Sequence, residues 1–318
     1  ISTGLPGTAN AEKAAHAALD LCLECKGCKA ECPSGVDMAK IKYDFLHNYY
    51  CAHRRPVRDY LFGYITSLGR LTRPIAPLAN LVLQSKPGKW LGERLVGLSA
   101  KRGLPPFKWS PGNQKYSSRE ADVLFLRDPF TDLFYPELAD AAVKVLEAAG
   151  FKPYTLRVVG AGRTLISKGF LPEAKAHAQR VLDAVKSIDP YSRLPVVGVE
   201  PSEIYTLRDE YLDLLPGQAG IAGLAKRAFM LDEFLLRGPD YGIRPLAKLA
   251  SAASAKSGRV LLHGHCYQKT QPPADDGLPV GHHASAALLN ALGYEVELVN
   301  SGCCGMAGSF GYEAEHYD

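Results

Sequence analysis

No stretch of this sequence stays apolar and uncharged for the ~20 residues that a helix needs to cross a bilayer. The longest charge-free apolar runs, Pro74–Ser85 and Gly281–Tyr294, stop short of that length, so no transmembrane segment is expected. Net charge is also low, +4 over 318 residues, while 47% of the residues are hydrophobic. That balance excludes a wholly disordered chain and allows roughly two domains with buried cores. Cysteine is too sparse for a disulfide scaffold, at eight residues. No secretory leader precedes the first cysteines, so the thiols are expected in a reducing, cytoplasmic compartment. The chain begins at Ile1 rather than Met and is expected to be a segment of a longer polypeptide.

What cysteine there is falls into groups. Cys22, Cys25, Cys28 and Cys32 occupy eleven consecutive residues, Cys266, Cys303 and Cys304 form a second set, and Cys51 stands alone. Thiols packed this tightly in sequence point to metal or redox chemistry rather than to disulfides. The run Cys22-x2-Cys25-x2-Cys28-x3-Cys32-Pro33 has the spacing of a bacterial ferredoxin [4Fe–4S] ligand run. In such runs the fourth cysteine serves another cluster, which leaves the first cluster one thiolate short. Cys51 is the local candidate for that ligand and could equally be a buried apolar residue. The other source is a second ferredoxin run upstream of Ile1. Helices are expected over Asn10–Leu21 and Asp37–Asn48 on either side, with Ser34 available as a cap for the second.

Charge is unevenly spread. Between Arg54 and Arg119 thirteen Lys/Arg face two Asp/Glu, a local +11, and the remainder therefore carries −7. Prolines and glycines break this stretch into short amphipathic helices joined by turns. It is expected to dock on acidic surface of its own protein, without the aromatic interleaving that nucleic-acid binding would need. From Ala121 onward short strand-like runs (Asp122–Arg127, Lys152–Val158, Pro195–Val199, Arg259–His263, Glu295–Val299) alternate with helical segments (Pro136–Ala149, Pro172–Val185, Ala219–Leu236, His282–Leu292). That alternation predicts an α/β fold with a mostly parallel sheet covered on both faces. An internal repeat is visible too. VLFLRDPF, a helix and Gly160-Ala161-Gly162-Arg163 parallel VLLHGHCY, a helix and Gly302-Cys303-Cys304-Gly305-Met306, so that only the second copy carries cysteines.

Cys266 ends a predicted strand beside His263 and His265, and Cys303 and Cys304 lie between glycines that free the backbone to turn. Three thiolates with nearby imidazoles, His265 among them, suit an iron–sulfur cluster or a zinc ion. Inert buried cysteines are the bland alternative. The Cys-Cys-Gly motif with its upstream cysteine, the paired half-domains and the ferredoxin run together resemble the cysteine-rich "CCG" domain family. That family includes iron–sulfur subunits of glycolate, D-lactate and anaerobic glycerol-3-phosphate dehydrogenases, and heterodisulfide reductases. GHCYQK (Gly264–Lys269), EPSEIYTLRDE (Glu200–Glu210) and GCCGMAGSFGYE (Gly302–Glu313) are similar in particular to the C-terminal third of large FAD-linked oxidases akin to D-lactate and D-2-hydroxyglutarate dehydrogenases.

The resemblance implies a helical ferredoxin-type module over residues 1–53, a basic linker over 54–119, and a duplicated CCG domain of Rossmann-like halves over 120–318. It implies an oxidoreductase part without a substrate site of its own. Such a part would pass electrons from an FAD domain upstream in the same polypeptide to a quinone or carrier protein, in the cytoplasm or peripherally at the inner face of the membrane. Family members often carry cysteine where this chain has Ala161 and Glu203. The resemblance therefore implies metal binding at Cys266, Cys303 and Cys304, with Glu203 or His265 as candidate completing ligands and the metal left as cluster or zinc. A heterodisulfide-reductase-like redox site and a structural zinc domain are the alternatives. Gly160–Arg163 lacks a dinucleotide fingerprint. His282 and His283 are expected to pack or cap, Asp209 and Glu210 to form an ion-pair face, and Tyr49, Tyr50 and Tyr60 to pack in the core.

Overall fold

The computed structural model describes residues 8–110, 112, 114–238, 245–252 and 258–317. Two parallel β-systems organise it. A four-stranded sheet of order β2-β1-β3-β4 is built from Val123–Phe125 (β1), Pro153–Thr155 (β2), Val196–Gly198 (β3) and Ala228–Met230 (β4). A separate parallel pair joins Gly258–Leu262 (β5) to Tyr294–Leu298 (β6). The five strands expected from sequence are all present. β4 is a correction, because Ala219–Leu236 is not one helix: it divides into Ile221–Lys226, β4 and Leu231–Leu236. The backbone N–H of Val196 donates to the Arg227 carbonyl at 2.8 Å. Pairing with a buried neighbour strand there outweighs the local helical pattern.

Alternation along β1 sorts its side chains onto two cores. Leu124 and Leu126 pack with Ala178, Val181 and Leu182 of the helix Leu171–Ile188, whereas Val123 and Phe125 pack with Leu146 of the helix Pro136–Ala148 and with Phe234. The first sheet is thus covered on both faces. The second is not: Arg259 and Leu261 of β5 and Glu295 and Glu297 of β6 are exposed, and Arg259 pairs with Glu297. Polar residues at alternate positions of β6 leave that face in solvent, which corrects the expectation of full coverage.

The two β-systems share one connection plan. Each first strand is followed, four residues after its end, by a short helix (Pro129–Leu133; Cys266–Lys269), then a longer one (Pro136–Ala148; Gly281–Ala291), then its parallel partner. Asp128 and His265 are the N-caps of the two short helices. Seven residues beyond each second strand stands a left-handed glycine, Gly162 at φ 84° and Gly305 at φ 74°. The register puts Pro129 opposite Cys266, and Gly160-Ala161 opposite Cys303-Cys304.

The N-terminal cysteines lie between the helices Thr8–Asp20 (α1) and Met38–Ala52 (α3), with Gly27–Glu31 (α2) inside the run. α3 is capped by Asp37, whose side chain accepts from the amides of Ala39 and Lys40, so Ser34 is not the cap. Asp37 directly precedes the first helical turn, where an N-cap must stand, and Ser34 is three residues too early. Tyr43 of α3 packs with Leu165, Ile166, Phe170 and Ala174. The basic stretch forms four short helices, Val57–Gly63, Ile65–Thr72, Ala76–Gln84 and Lys86–Val96. Its cations reach acidic groups elsewhere: Arg70 and Arg73 pair with buried Asp132, Arg58 with Glu313 and Glu315, and Lys108 with Glu137.

Candidate redox site

Between Cys22 and Cys28 the chain turns back on itself through two left-handed residues that are not glycine, Glu24 (φ 54°) and Lys26 (φ 61°). Such residues cost free energy unless their surroundings hold them. Here buried ion pairs do so. Glu24 accepts from the Arg163 guanidinium at 2.5 Å, and Lys26 lies 3.1 Å from Asp37, 2.5 Å from Asp209 and 2.6 Å from Glu210. Asp209 also receives Lys29 and Lys40, both at 2.7 Å. Burial pulls the Asp209 carboxyl upward, but the Lys26 ammonium and the lysine hydrogen bonds outweigh it and hold it well below the usual range. Asp209 and Glu210 are thus the expected ion-pair face, and its partner is the cysteine loop.

The sulfurs of the run meet donors as well as space. The Met38 amide donates to Cys28 Sγ at 3.3 Å, and the amides of Val36, Ser34 and Gly35 hold the Cys32 thiol below its ordinary value. Cys22 is shifted the other way, mainly by burial. All of these thiols are free. A loop of left-handed turns with amides aimed at its sulfurs fits an iron–sulfur cluster, whose sulfurs accept such bonds. Cys51 does not join them. It is exposed, donates to the His47 carbonyl at 3.3 Å, and lies thirteen residues along α3 from Met38, about 20 Å of helix rise.

In the C-terminal set Cys266 Sγ lies 3.7 Å from Cys303 Sγ, and the Gly305 amide points at Cys303 Sγ at 3.3 Å. Burial and the Cys303 thiol raise Cys266 to about 11. Cys303 and Cys304 are exposed and Cys266 is half-buried. His265 spends Nδ1 on the Tyr267 amide, at 3.2 Å. Its Nε2 lies 3.9 Å from Glu200, and partial desolvation, aided by His263, lowers its pKa to about 4. His282 instead leans on the Gln268 carbonyl at 3.4 Å and stacks beside His283, the packing role expected. Tyr49 stacks on His53 at 4.0 Å, Tyr50 hydrogen-bonds His16, and Tyr60 packs against Phe170 while remaining half exposed.

Glu203 takes a different place from the one the resemblance implied. It is buried, its Oε2 accepts from the Ala161 amide at 2.5 Å, and its carboxyl lies against Gly160 and is raised to about 7 by burial and by Asp128. The carboxylate thus fills the first unit's counterpart of the Cys266–Cys303–Cys304 site. Among the described residues no group of three donors within 4.8 Å contains a cysteine; the one such group is Asp20, Glu313 and His316. Glu313 of that trio also faces Lys168 at 3.0 Å and Arg58 at 3.3 Å.

The two cysteine sets open on one cavity of about 1620 Å³, lined by Cys22 and Cys25 on one side and by His265, Cys266 and Cys304 on another. The charged residues that seat the loop (Glu24, Lys26, Arg163) escaped the sequence reading. Their one local signal is that charged spacers inside a tight cysteine run need partners when buried.

No model of a known protein family matches the chain, and no solved structure matches it. It is 26% identical over 320 residues to a D-2-hydroxyglutarate dehydrogenase of Escherichia coli, covering 95% of this chain and 29% of that protein. A D-2-hydroxyglutarate dehydrogenase of Haemophilus influenzae is 26% identical over 94% of the chain and 30% of its own length. The chain therefore spans under a third of these relatives. One subunit of the anaerobic glycerol-3-phosphate dehydrogenase of Escherichia coli is 26% identical over 291 residues, which is 89% of the chain and 68% of that protein. Each of these proteins is a dehydrogenase or part of one, and the similarities support an oxidoreductase role.

Proposed function

We propose that this chain is the iron–sulfur electron-transfer part of an FAD-linked 2-hydroxyacid dehydrogenase of the D-2-hydroxyglutarate, D-lactate or glycolate type. The flavin would lie upstream in the same polypeptide, and the acceptor would be a quinone or carrier protein. In this reading residues 1–53 hold a [4Fe–4S] cluster through Cys22, Cys25 and Cys28, with Cys32 facing a further one. Residues 54–119 brace the module, and 120–318 hold a second metal centre at Cys266, Cys303 and Cys304. The observation that carries it is that Cys22 and Cys25 of one set and Cys266 and Cys304 of the other line one cavity. The similarity to dehydrogenases supports the class of reaction. A protein at the cytoplasmic side of the membrane, without a span of its own among the described residues, is consistent with the helices found.

Bound clusters would supply one-electron storage at fixed potentials. The chain's own residues seat the thiolates and donate amides to their sulfurs. One observation favours a second reading for the C-terminal site. The 3.7 Å between Cys266 and Cys303 matches the ~3.8 Å edge of a tetrahedral site with ~2.3 Å Zn–S bonds. Anaerobic reconstitution with iron, sulfide and zinc, followed by metal analysis and EPR of the reduced protein, decides between them. Iron at both sites supports the two-centre relay. Iron in the N-terminal run with zinc at Cys266 assigns the second site a structural role, and a chain that binds no iron refutes the proposal.

A further inference from the structure

One buried cation, Arg163, reaches both cysteine loops, while Lys42 serves the N-terminal one, at 2.7 Å from the Cys22 carbonyl. The Arg163 guanidinium is buried and donates through Nη2 to Glu24, the residue that precedes Cys25, at 2.5 Å. Through Nη1 it donates to Glu210 at 3.0 Å. Its other face lies 5.3 Å from the ring centroid of Tyr267, the residue that follows Cys266. One side chain therefore touches the neighbour of a cysteine from each set, in the wall of the cavity they share. Arg163 belongs to the cysteine-free Gly160–Arg163 loop, which the electron-transfer reading leaves without a role. A guanidinium keeps its charge at any working pH, and its interactions inside a protein are screened far less than at a surface.

We propose that Arg163 is a positioning residue for both redox centres: it holds the two cysteine loops in register and lends each a fixed positive charge that raises its reduction potential. The inference rests on the two-centre relay proposed above. Reduction adds one negative charge to a centre, so a nearby fixed cation stabilises the reduced form, and a nearby carboxylate destabilises it. Arg163 and Glu24 therefore act on the Cys22–Cys28 centre with opposite signs. On its other side Arg163 lies against Tyr267, next to Cys266, where Glu200 stands 3.9 Å from His265 as the nearby acid.

The test is an EPR-monitored redox titration of the reconstituted chain. Arg163→Met is expected to move both midpoint potentials to more negative values, and Arg163→Lys to restore most of the shift, since it returns the charge without the forked geometry. Glu24→Gln is expected to move the N-terminal centre to more positive values. Simple loosening of the loop would shift both variants the same way, so shifts of like sign, or none with iron still bound, overturn the proposal. If Arg163→Met loses its iron, Arg163→Gln decides: more negative potentials at both centres with iron retained support the proposal, and unchanged or more positive ones overturn it. A wild-type chain without iron would instead refute the relay on which it rests.

Discussion

Lys26 is a stringent probe of how the cysteine loop is held. It occupies a left-handed position, its side chain is 7% exposed, and its ammonium lies 2.6 Å from Glu210, itself 1% exposed, and 2.5 Å from Asp209. Lys26→Met keeps the stem but leaves both acids short of a cation. Breaking a buried ion pair from one side costs ~3–5 kcal/mol, a large part of the ~5–15 kcal/mol that holds a typical domain together. Lys29→Met is the matched control. It faces the same Asp209 at 2.7 Å but is 40% exposed, and exposed pairs contribute ~0–1 kcal/mol. Urea unfolding of the two variants, with iron per chain measured after reconstitution, is expected to separate them clearly. Lys26→Met should lose several kcal/mol together with its iron, and Lys29→Met neither. Equal losses, or a Lys26→Met variant within ~1 kcal/mol of wild type, would show that the loop keeps its shape by other means.

Cys51→Ser is expected to leave the iron content unchanged, because Cys51 is exposed and at the far end of α3 from Cys28; a loss of iron on this substitution would restore it as the missing ligand. Asp128 gives a pH signature. Burial and Glu200 raise its carboxyl from 3.8 to about 6, so the folded state holds that proton more tightly than the unfolded one. Its contribution is full below pH ~4 and is lost as pH rises through ~6, a decline of roughly 3 kcal/mol. Asparagine can serve as the same N-cap, so Asp128→Asn should be more stable than wild type at pH 7 and lose that advantage at pH 4. Melting curves with the same offset at both pH values would contradict the assignment.

Much of this was legible in the sequence, for local reasons. Ferredoxin spacing is a short-range code, and the strand runs beginning at Asp122 and Arg259 are continuous apolar segments bounded by polar residues. β4 was not legible, because three residues between two helical turns carry no period of their own, and their strand character comes from pairing with β3. Nor were the partners of the cysteine loop. Lys26 and Asp209 are 183 residues apart, and no local pattern reports which distant acid will neutralise a buried lysine. Glu203 sits between these cases. Its position opposite Ala161 follows from the repeat, but its capture by the Ala161 amide appears only in three dimensions.

The left-handed turns at Glu24 and Lys26 also bear on how the protein matures. The residues that stabilise those turns, Arg163, Asp209 and Glu210, come more than a hundred positions later in the chain. The four thiols precede these partners in the chain, and until the first β-system folds Lys26 has Asp37 as its nearby acid in sequence. On the proposed reading, loading of a cluster would therefore follow folding of the parallel sheet rather than precede it.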